Sequence, residues 1–288
     1  MDVKRVAVIG CGTLGTDVTI LVLQRGCEVF LYDLEKRNVD RACEMMRASF
    51  AASPDMPVDL DSALHILDKT AEAPHDVDMV IECIQEDVMA KKRLFQDLDN
   101  QLPMEVIFAT TSSSITITEL ASYTNRPAQF IGILFPPDPI LTQGIEIARG
   151  LRTADETVER ATQFVNRLGR KPLIIGDSPG FVLPRILFMI INEAAFALME
   201  GVASKEDIDL AMRLGANYPK GPLEWADHIG LDVCLRAISN LHGELKDPRY
   251  RPCPLLSRIV RAGYLGKKVG RGFYEYGETL KDTTSRSG

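Results

Sequence analysis

The apolar positions of this chain fall first into short unbroken runs and later into long helical stripes. Val6-Ala7-Val8-Ile9, Val29-Phe30-Leu31-Tyr32, Val77 to Ile84 (with Met79-Val80-Ile81) and Val106-Ile107-Phe108-Ala109 are continuous hydrophobic stretches. Runs of this length predict strands buried on both faces, as in a parallel sheet. Gln129 to Phe135, Ile145 to Ala148 and Pro172 to Ile175 predict three more. Helical spacing fills the gaps. It runs from Thr13 towards Gly26, then through Val39, Cys43, Met46 and Phe50 in residues 36–53, with Pro54 and Pro57 ending that helix. Asp87 is placed to cap a helix reaching about Asn100, with Val88, Leu94, Phe95 and Leu98 inward, and Gly169 closes another over Asp155 to Leu168. Residues 60–68 fit neither period. After Asp177-Ser178-Pro179-Gly180 the pattern changes. Phe181 to Gly201 predicts a long apolar helix, Ser204 opens the next, and others follow around Leu231–Leu241 and Pro254–Ala262. Phe273 to Tyr276 is the one later strand pattern. The pattern predicts an α/β domain over residues 1–180, a smaller all-α domain over 181–277, and a disordered tail at 278–288.

The first turn of the α/β part carries the chemistry. Gly10, Gly12 and Gly15 stand in G-x-G-x-x-G spacing between the first strand and first helix, and the second strand ends on Asp33. In a Rossmann-type doubly wound sheet the first glycine permits the tight turn, the second lets backbone approach a pyrophosphate, and the third lets helix and strand pack closely. The helix start, Thr13 and Leu14 included, then offers free N–H groups and a positive dipole end to phosphate. Asp33 is placed to accept from ribose hydroxyls and to repel a 2′-phosphate, which favours NAD over NADP.

Composition narrows the partners. The 288 residues are 45% hydrophobic and 25% charged, with a formal net charge of −7. Those values suit a globular protein and disfavour nucleic acid or an anionic membrane as partner. The Met1 to Arg5 lead runs straight into the first strand, and the apolar stretch Ile186 to Ile191 is broken by Asn192 and Glu193. Neither a signal peptide nor a membrane span is expected. The six cysteines are scattered without C-x-x-C pairs, predicting free thiols, no metal site and a cytoplasmic protein.

Several stretches carry a resemblance to one family: VAVIGCGTLG, DMVIECIQEDVMAKKRLF, SSSITITELA, DSPGFVLPRIL, GVASKEDIDLAMRLGANYP and RPCPLL with GKKVGRGFYEY. From residue 4 to about 276 the chain resembles the 3-hydroxyacyl-CoA dehydrogenases, especially the bacterial 3-hydroxybutyryl-CoA type. The resemblance implies NAD, a 3-hydroxyacyl-CoA or related hydroxy-acid substrate, and a homodimer formed through the helical domain. It also implies NAD contacts from Glu86 and Lys91, with Thr111 near the nicotinamide where the family has asparagine. Ser113 matches the serine that hydrogen-bonds the substrate hydroxyl, and Glu146 the glutamate that orients the family's catalytic histidine.

The match departs from the family at two points of chemistry. Leu134, in Gly132-Ile133-Leu134-Phe135, stands in the place of the histidine that takes the hydroxyl proton. Pro184 stands in the place of an asparagine that holds the substrate oxygen. A positioned general base contributes about 10²–10⁴ in rate, so efficient turnover by the family mechanism is not expected. His65, His75, His228 and His242 align with no catalytic position; Asp138, between prolines, and Lys220 are read as solvated. Glu146 is the candidate replacement base. The region around Asp55, Asp59 and Asp61, where family members commonly carry a lysine-containing hairpin for CoA, is acidic and short. The resemblance leaves two readings: an NAD-dependent dehydrogenase with an atypical site, or a catalytically impaired NAD(H)-binding relative that serves as a structural or regulatory partner.

Overall fold

Along the first strand, β1 (Arg5–Ile9), Val6 and Val8 join one apolar cluster while Ala7 and Ile9 join another. A strand buried on both sides has no polar face, which is why it reads as an unbroken apolar run. The same split recurs at Val29 and Leu31 against Phe30, and at Ile107 and Ala109 against Phe108. The computed structural model describes residues 3–52, 59–136 and 142–277. Pro54, Asp55, Pro57, Asp138 and the 278–288 tail lie outside the described residues.

The chain divides into two units, Met1–Phe181 and Val182–Gly288. In the first, β1 is followed by α1 (Thr13–Leu23), β2 (Glu28–Tyr32), α2 (Lys36–Ala51), α3 (Leu60–Ala63), β3 (Leu64–Ile66) and β4 (Met79–Glu82). Then come α4 (Val88–Gln101), β5 (Ile107–Thr110), α5 (Ile117–Ser122), β6 (Phe130–Leu134), β7 (Gly144–Arg149), α6 (Asp155–Arg167) and β8 (Lys171–Gly176). The strands form one sheet in the order β3-β2-β1-β4-β5-β6-β7-β8, parallel throughout except for the β6–β7 pair. Residues of α1, α2 and α6, such as Leu21, Met46 and Phe164, cover one face. Phe95 and Leu98 of α4 and Ile117 and Leu120 of α5 cover the other. This is a Rossmann-type α/β fold. Strand order reverses between β1 and β4, so the ligand crevice opens at their carboxyl ends.

The ambiguous stretch 60–68 divides between two elements. Asp59 accepts from the Asp61 amide at 3.2 Å and starts the four-residue α3, and β3 then pairs with β2 for three residues. Both are too short to show a period.

A buried arginine holds the far end of α4. Arg126 is fully buried, its guanidinium 4.3 Å above the Phe108 ring. Its Nε donates to the Asp99 carboxylate at 2.6 Å, Nη2 donates to the Leu102 and Asp99 carbonyls at 2.6 and 3.0 Å, and Nη1 donates to the Pro103 carbonyl. It therefore satisfies carbonyls that the helix end leaves without partners. Arg126→Met should cost about 3–5 kcal/mol in urea unfolding, because the buried Asp99 carboxylate loses its cation and keeps only the two Asn125 donors. A loss below about 1 kcal/mol would place the pair in the class of exposed ion pairs.

The second unit is all-helical: α7 (Leu183–Met199), α8 (Lys205–Gly215), α9 (Pro222–Ile229), α10 (Leu231–Leu245) and α11 (Pro254–Arg261) pack around Ile191, Leu223, Cys234, Ile238 and Leu256. Ser204 caps α8 as expected, its side chain accepting from the Asp207 amide at 3.1 Å. The strand expected at Phe273 to Tyr276 does not form. That segment bends, with an isolated bridge between Arg271 and Glu275. Its Phe273 and Tyr274 amides donate to the buried Asp227 carboxylate, each at 2.8 Å, instead of to a neighbouring strand. Among the described residues no helix is long and apolar enough to cross a membrane, and all six cysteines are free.

Candidate functional site

The glycine turn separates into two glycines that the fold itself demands and one that it does not. Gly10 has φ +109°, and a Cβ there would sit 2.7 Å from the Cys83 carbonyl carbon. A Cβ on Gly15 would lie 1.8 Å from the Gly10 carbonyl oxygen. Gly12, by contrast, has φ −63° and ψ −177°, open to any residue, and a Cβ on it would meet no atom within 4 Å. Gly12 caps α1 and brings no side chain of its own to the amides of the first turn, Thr13, Leu14 and Gly15. Open space beside uncapped amides is a cradle for an anion.

Asp33 lies just beyond β2 and is half-buried. Its Oδ2 accepts from the Cys11 amide at 2.7 Å; its Oδ1 accepts from the Glu35 amide at 2.9 Å and Asn38 Nδ2 at 3.0 Å. The carboxylate thus ties the glycine turn to the start of α2, a structural duty its position in the sequence did not disclose. Burial pushes the Cys11 thiol up to about 12, so this cysteine is not a nucleophile at neutral pH.

A second group gathers where β4 and β5 end. Glu82, wholly buried, accepts from Lys91 Nζ at 2.6 Å, the Ile84 amide at 2.7 Å and the Thr110 hydroxyl at 2.6 Å. Lys91, also buried, lies 3.3 Å from Glu86. Glu86 in turn accepts from the Ser112 hydroxyl at 2.6 Å, the Ser114 amide at 2.9 Å and the Ser114 hydroxyl at 2.7 Å. Burial pushes the Glu82 carboxyl up, against the pull of Lys91. Burial also works against the Glu86 anion, but Lys91, Ser112 and Ser114 outweigh it and hold that carboxyl below its ordinary value.

Glu86 thereby grips the residues on either side of Ser113. The Ser113 carbonyl accepts from the Gly180 amide at 2.6 Å, and Asp177 accepts from the Ile117 and Thr118 amides at 2.8 Å each. The loop after β5 is therefore pinned from two directions. Thr111 sits at its base, its amide donating to the Glu82 carbonyl at 3.1 Å. Neither Glu82 nor Asp177 is marked by periodicity or spacing; only the fold brings them to this loop.

Glu146 stands apart from both groups in sequence. It lies on β7 directly opposite Leu134 on β6, and cross-strand partners share a face of the sheet. Both are buried, at 5% and 8% exposure. Pro184 occupies the first turn of α7, where a missing N–H costs nothing. His65 stacks on Phe30 at 4.8 Å with Nε2 2.8 Å from Glu28, a packed position without catalytic neighbours. Among the described residues no cluster of His, Cys, Asp or Glu is arranged to hold a metal.

Comparison with known proteins finds family matches that together run from residue 5 to residue 276. The family described as 3-hydroxyacyl-CoA dehydrogenase, NAD binding domain, matches residues 5–178, and 3-hydroxyacyl-CoA dehydrogenase, C-terminal domain, matches residues 180–276. The chain belongs to the 3-hydroxyacyl-CoA dehydrogenase family. It is 39% identical over 285 residues to a probable 3-hydroxybutyryl-CoA dehydrogenase of Bacillus subtilis, covering 96% of this chain and 99% of that protein. It is 41% identical over 275 residues to one of Deinococcus radiodurans, covering 93% and 99%. The crystal structure of (S)-3-hydroxybutyryl-CoA dehydrogenase from Ralstonia eutropha superposes with a TM-score of 0.89 at 35% identity, covering 96% of this chain and all of that one. The cofactor of this dehydrogenase family is NAD, and the residues present fit it. The open, uncapped turn at Gly12 suits a pyrophosphate, and Asp33 opposes a 2′-phosphate.

Proposed function

We propose that the chain is a working NAD-dependent dehydrogenase of a 3-hydroxyacyl-CoA or related hydroxy acid, with an atypical proton-transfer site. The observation that carries this reading is Glu146, a carboxylate kept in the buried interior of the sheet directly opposite Leu134. Bound NAD supplies the hydride acceptor. The chain supplies the rest. Ser113, on the pinned loop, donates to the substrate hydroxyl oxygen. Glu146 accepts the hydroxyl proton, directly or through one water, as the carbon–hydrogen bond gives up its hydride. Gly10, Gly12, Thr13, Leu14, Gly15 and Asp33 hold the adenosine half of the cofactor, and Glu86, Lys91 and Thr111 the nicotinamide half. The helical unit carries substrate contacts and the homodimer surface.

Leu134 favours a second reading. Its side chain has no exchangeable proton, and an NAD(H)-binding relative without turnover, acting as partner to an active homologue, would need none. One experiment on the site addresses both. Leu134→His combined with Pro184→Asn, assayed by NADH oxidation with acetoacetyl-CoA, should raise kcat by about 10²-fold, the low end of what a positioned base contributes. An unchanged kcat would show that Leu134 does not occupy the place of the missing base.

A further inference from the structure

Two carboxylates and one ammonium meet at the carboxyl ends of β4 and β5. Every hydrogen-bonding partner of Glu82 donates to it: Lys91, the Ile84 amide and the Thr110 hydroxyl. Every partner of Glu86 likewise donates: Lys91, Ser112 and Ser114. These donors favour the anion at both groups, against the burial that pushes the Glu82 carboxyl up, and Glu86 is the one they hold below its ordinary value. Among the described residues Lys91 is the cation paired with either carboxylate. With both carboxylates ionised beside that one ammonium, the cluster carries one net negative charge. Little water screens it, with side-chain exposures of 0% for Glu82, 1% for Lys91 and 22% for Glu86.

A doubly wound sheet takes a dinucleotide as two mononucleotide halves, one on each side of the point where strand order reverses. Asp33, beyond β2, marks the β1–β2–β3 side as the adenosine half, so the ends of β4 and β5 receive the nicotinamide half. The oxidised nicotinamide ring is a cation and the reduced ring is neutral. We propose that the Glu82–Lys91–Glu86 cluster sets the preference of this protein for oxidised over reduced cofactor. A fixed negative charge near the ring stabilises the cationic form and leaves the neutral one unaffected. The proposal rests on NAD being the cofactor and is independent of whether substrate is turned over.

The test is separate calorimetric titration of NAD⁺ and NADH into the wild type, Glu86→Gln, Glu86→Asp and Glu82→Gln. Glutamine keeps the length and an acceptor oxygen for Ser112 and Ser114 while removing the charge. The ratio of the two Kd values, NAD⁺ over NADH, should rise about tenfold in Glu86→Gln, as expected of one unit charge near the ring in a partly screened site. Glu82→Gln should shift it the same way, and Glu86→Asp should keep the wild-type ratio even where both affinities fall. A ratio unchanged in both glutamine variants, with both Kd values rising together, would overturn the proposal and leave the cluster a purely structural role. A wild type that binds neither form would overturn the cofactor reading itself, and this proposal with it.

Discussion

Glu146→Gln should lower the rate of acetoacetyl-CoA-dependent NADH oxidation by about 10²–10⁴, the contribution of a positioned general base, with NADH affinity unchanged. The substitution keeps the shape of the side chain and its place on β7, so packing opposite Leu134 is preserved. What it removes is the ability to exchange a proton, taken in hydroxyl oxidation and given back in the ketone reduction that the assay follows. At 5% exposure, bulk solvent offers no ready substitute at that position. Turnover that persists undiminished in Glu146→Gln would place the base elsewhere in the chain.

Gly12→Val should leave the melting temperature where it is and weaken NADH binding by about 10²–10⁴. The lower bound corresponds to two charge-assisted hydrogen bonds to phosphate lost at about 1.5 kcal/mol each. The fold gives no reason for this glycine. Its backbone angles are ordinary, and the space beside it is free of protein atoms within 4 Å. Gly10→Ala and Gly15→Ala behave differently, because their Cβ atoms would drive into backbone at 2.7 and 1.8 Å. Those two should unfold at lower temperature, so their loss of binding carries no information about the ligand. Gly12→Val with wild-type stability and wild-type affinity would remove the phosphate from this turn.

The parts of the fold that were legible in the sequence are those where one physical rule dominates. Strands buried on both faces leave no alternative to a continuous apolar run, which is how Val6 to Ile9 and Val29 to Tyr32 declared themselves. The cap at Asp87 was legible because its side chain bonds only three residues away, to the Ala90 amide. The short elements were hidden. The six residues of α5 and the three of β3 hold too few positions for a period, and their order comes from distant partners such as Asp177. Phe273 to Tyr276 misled because aromatic alternation resembles a strand, while the hydrogen bonds go to Asp227, 46 residues earlier in the case of Phe273.

The site divides in the same way. Gly10, Gly12 and Gly15 fall within one short stretch, with Asp33 just beyond the next strand, so their spacing was readable. The second carboxylate of the Lys91 pair did not announce itself, since Glu82 sits at the end of an apolar strand. Only the lysine folding back from α4, nine residues on, brings it into the group at the ends of β4 and β5. The pinning of Ser113 is likewise invisible in sequence, because Gly180 and Asp177 lie more than sixty residues away in the chain.

A working dehydrogenase not only holds NAD but uses it. That use is tested most directly by following NADH absorbance on addition of acetoacetyl-CoA to the wild type, with NADH binding measured by calorimetry on the same preparation. NADH should bind and then be oxidised faster than in the enzyme-free control. NADH bound in full, with oxidation no faster than that control, would contradict it.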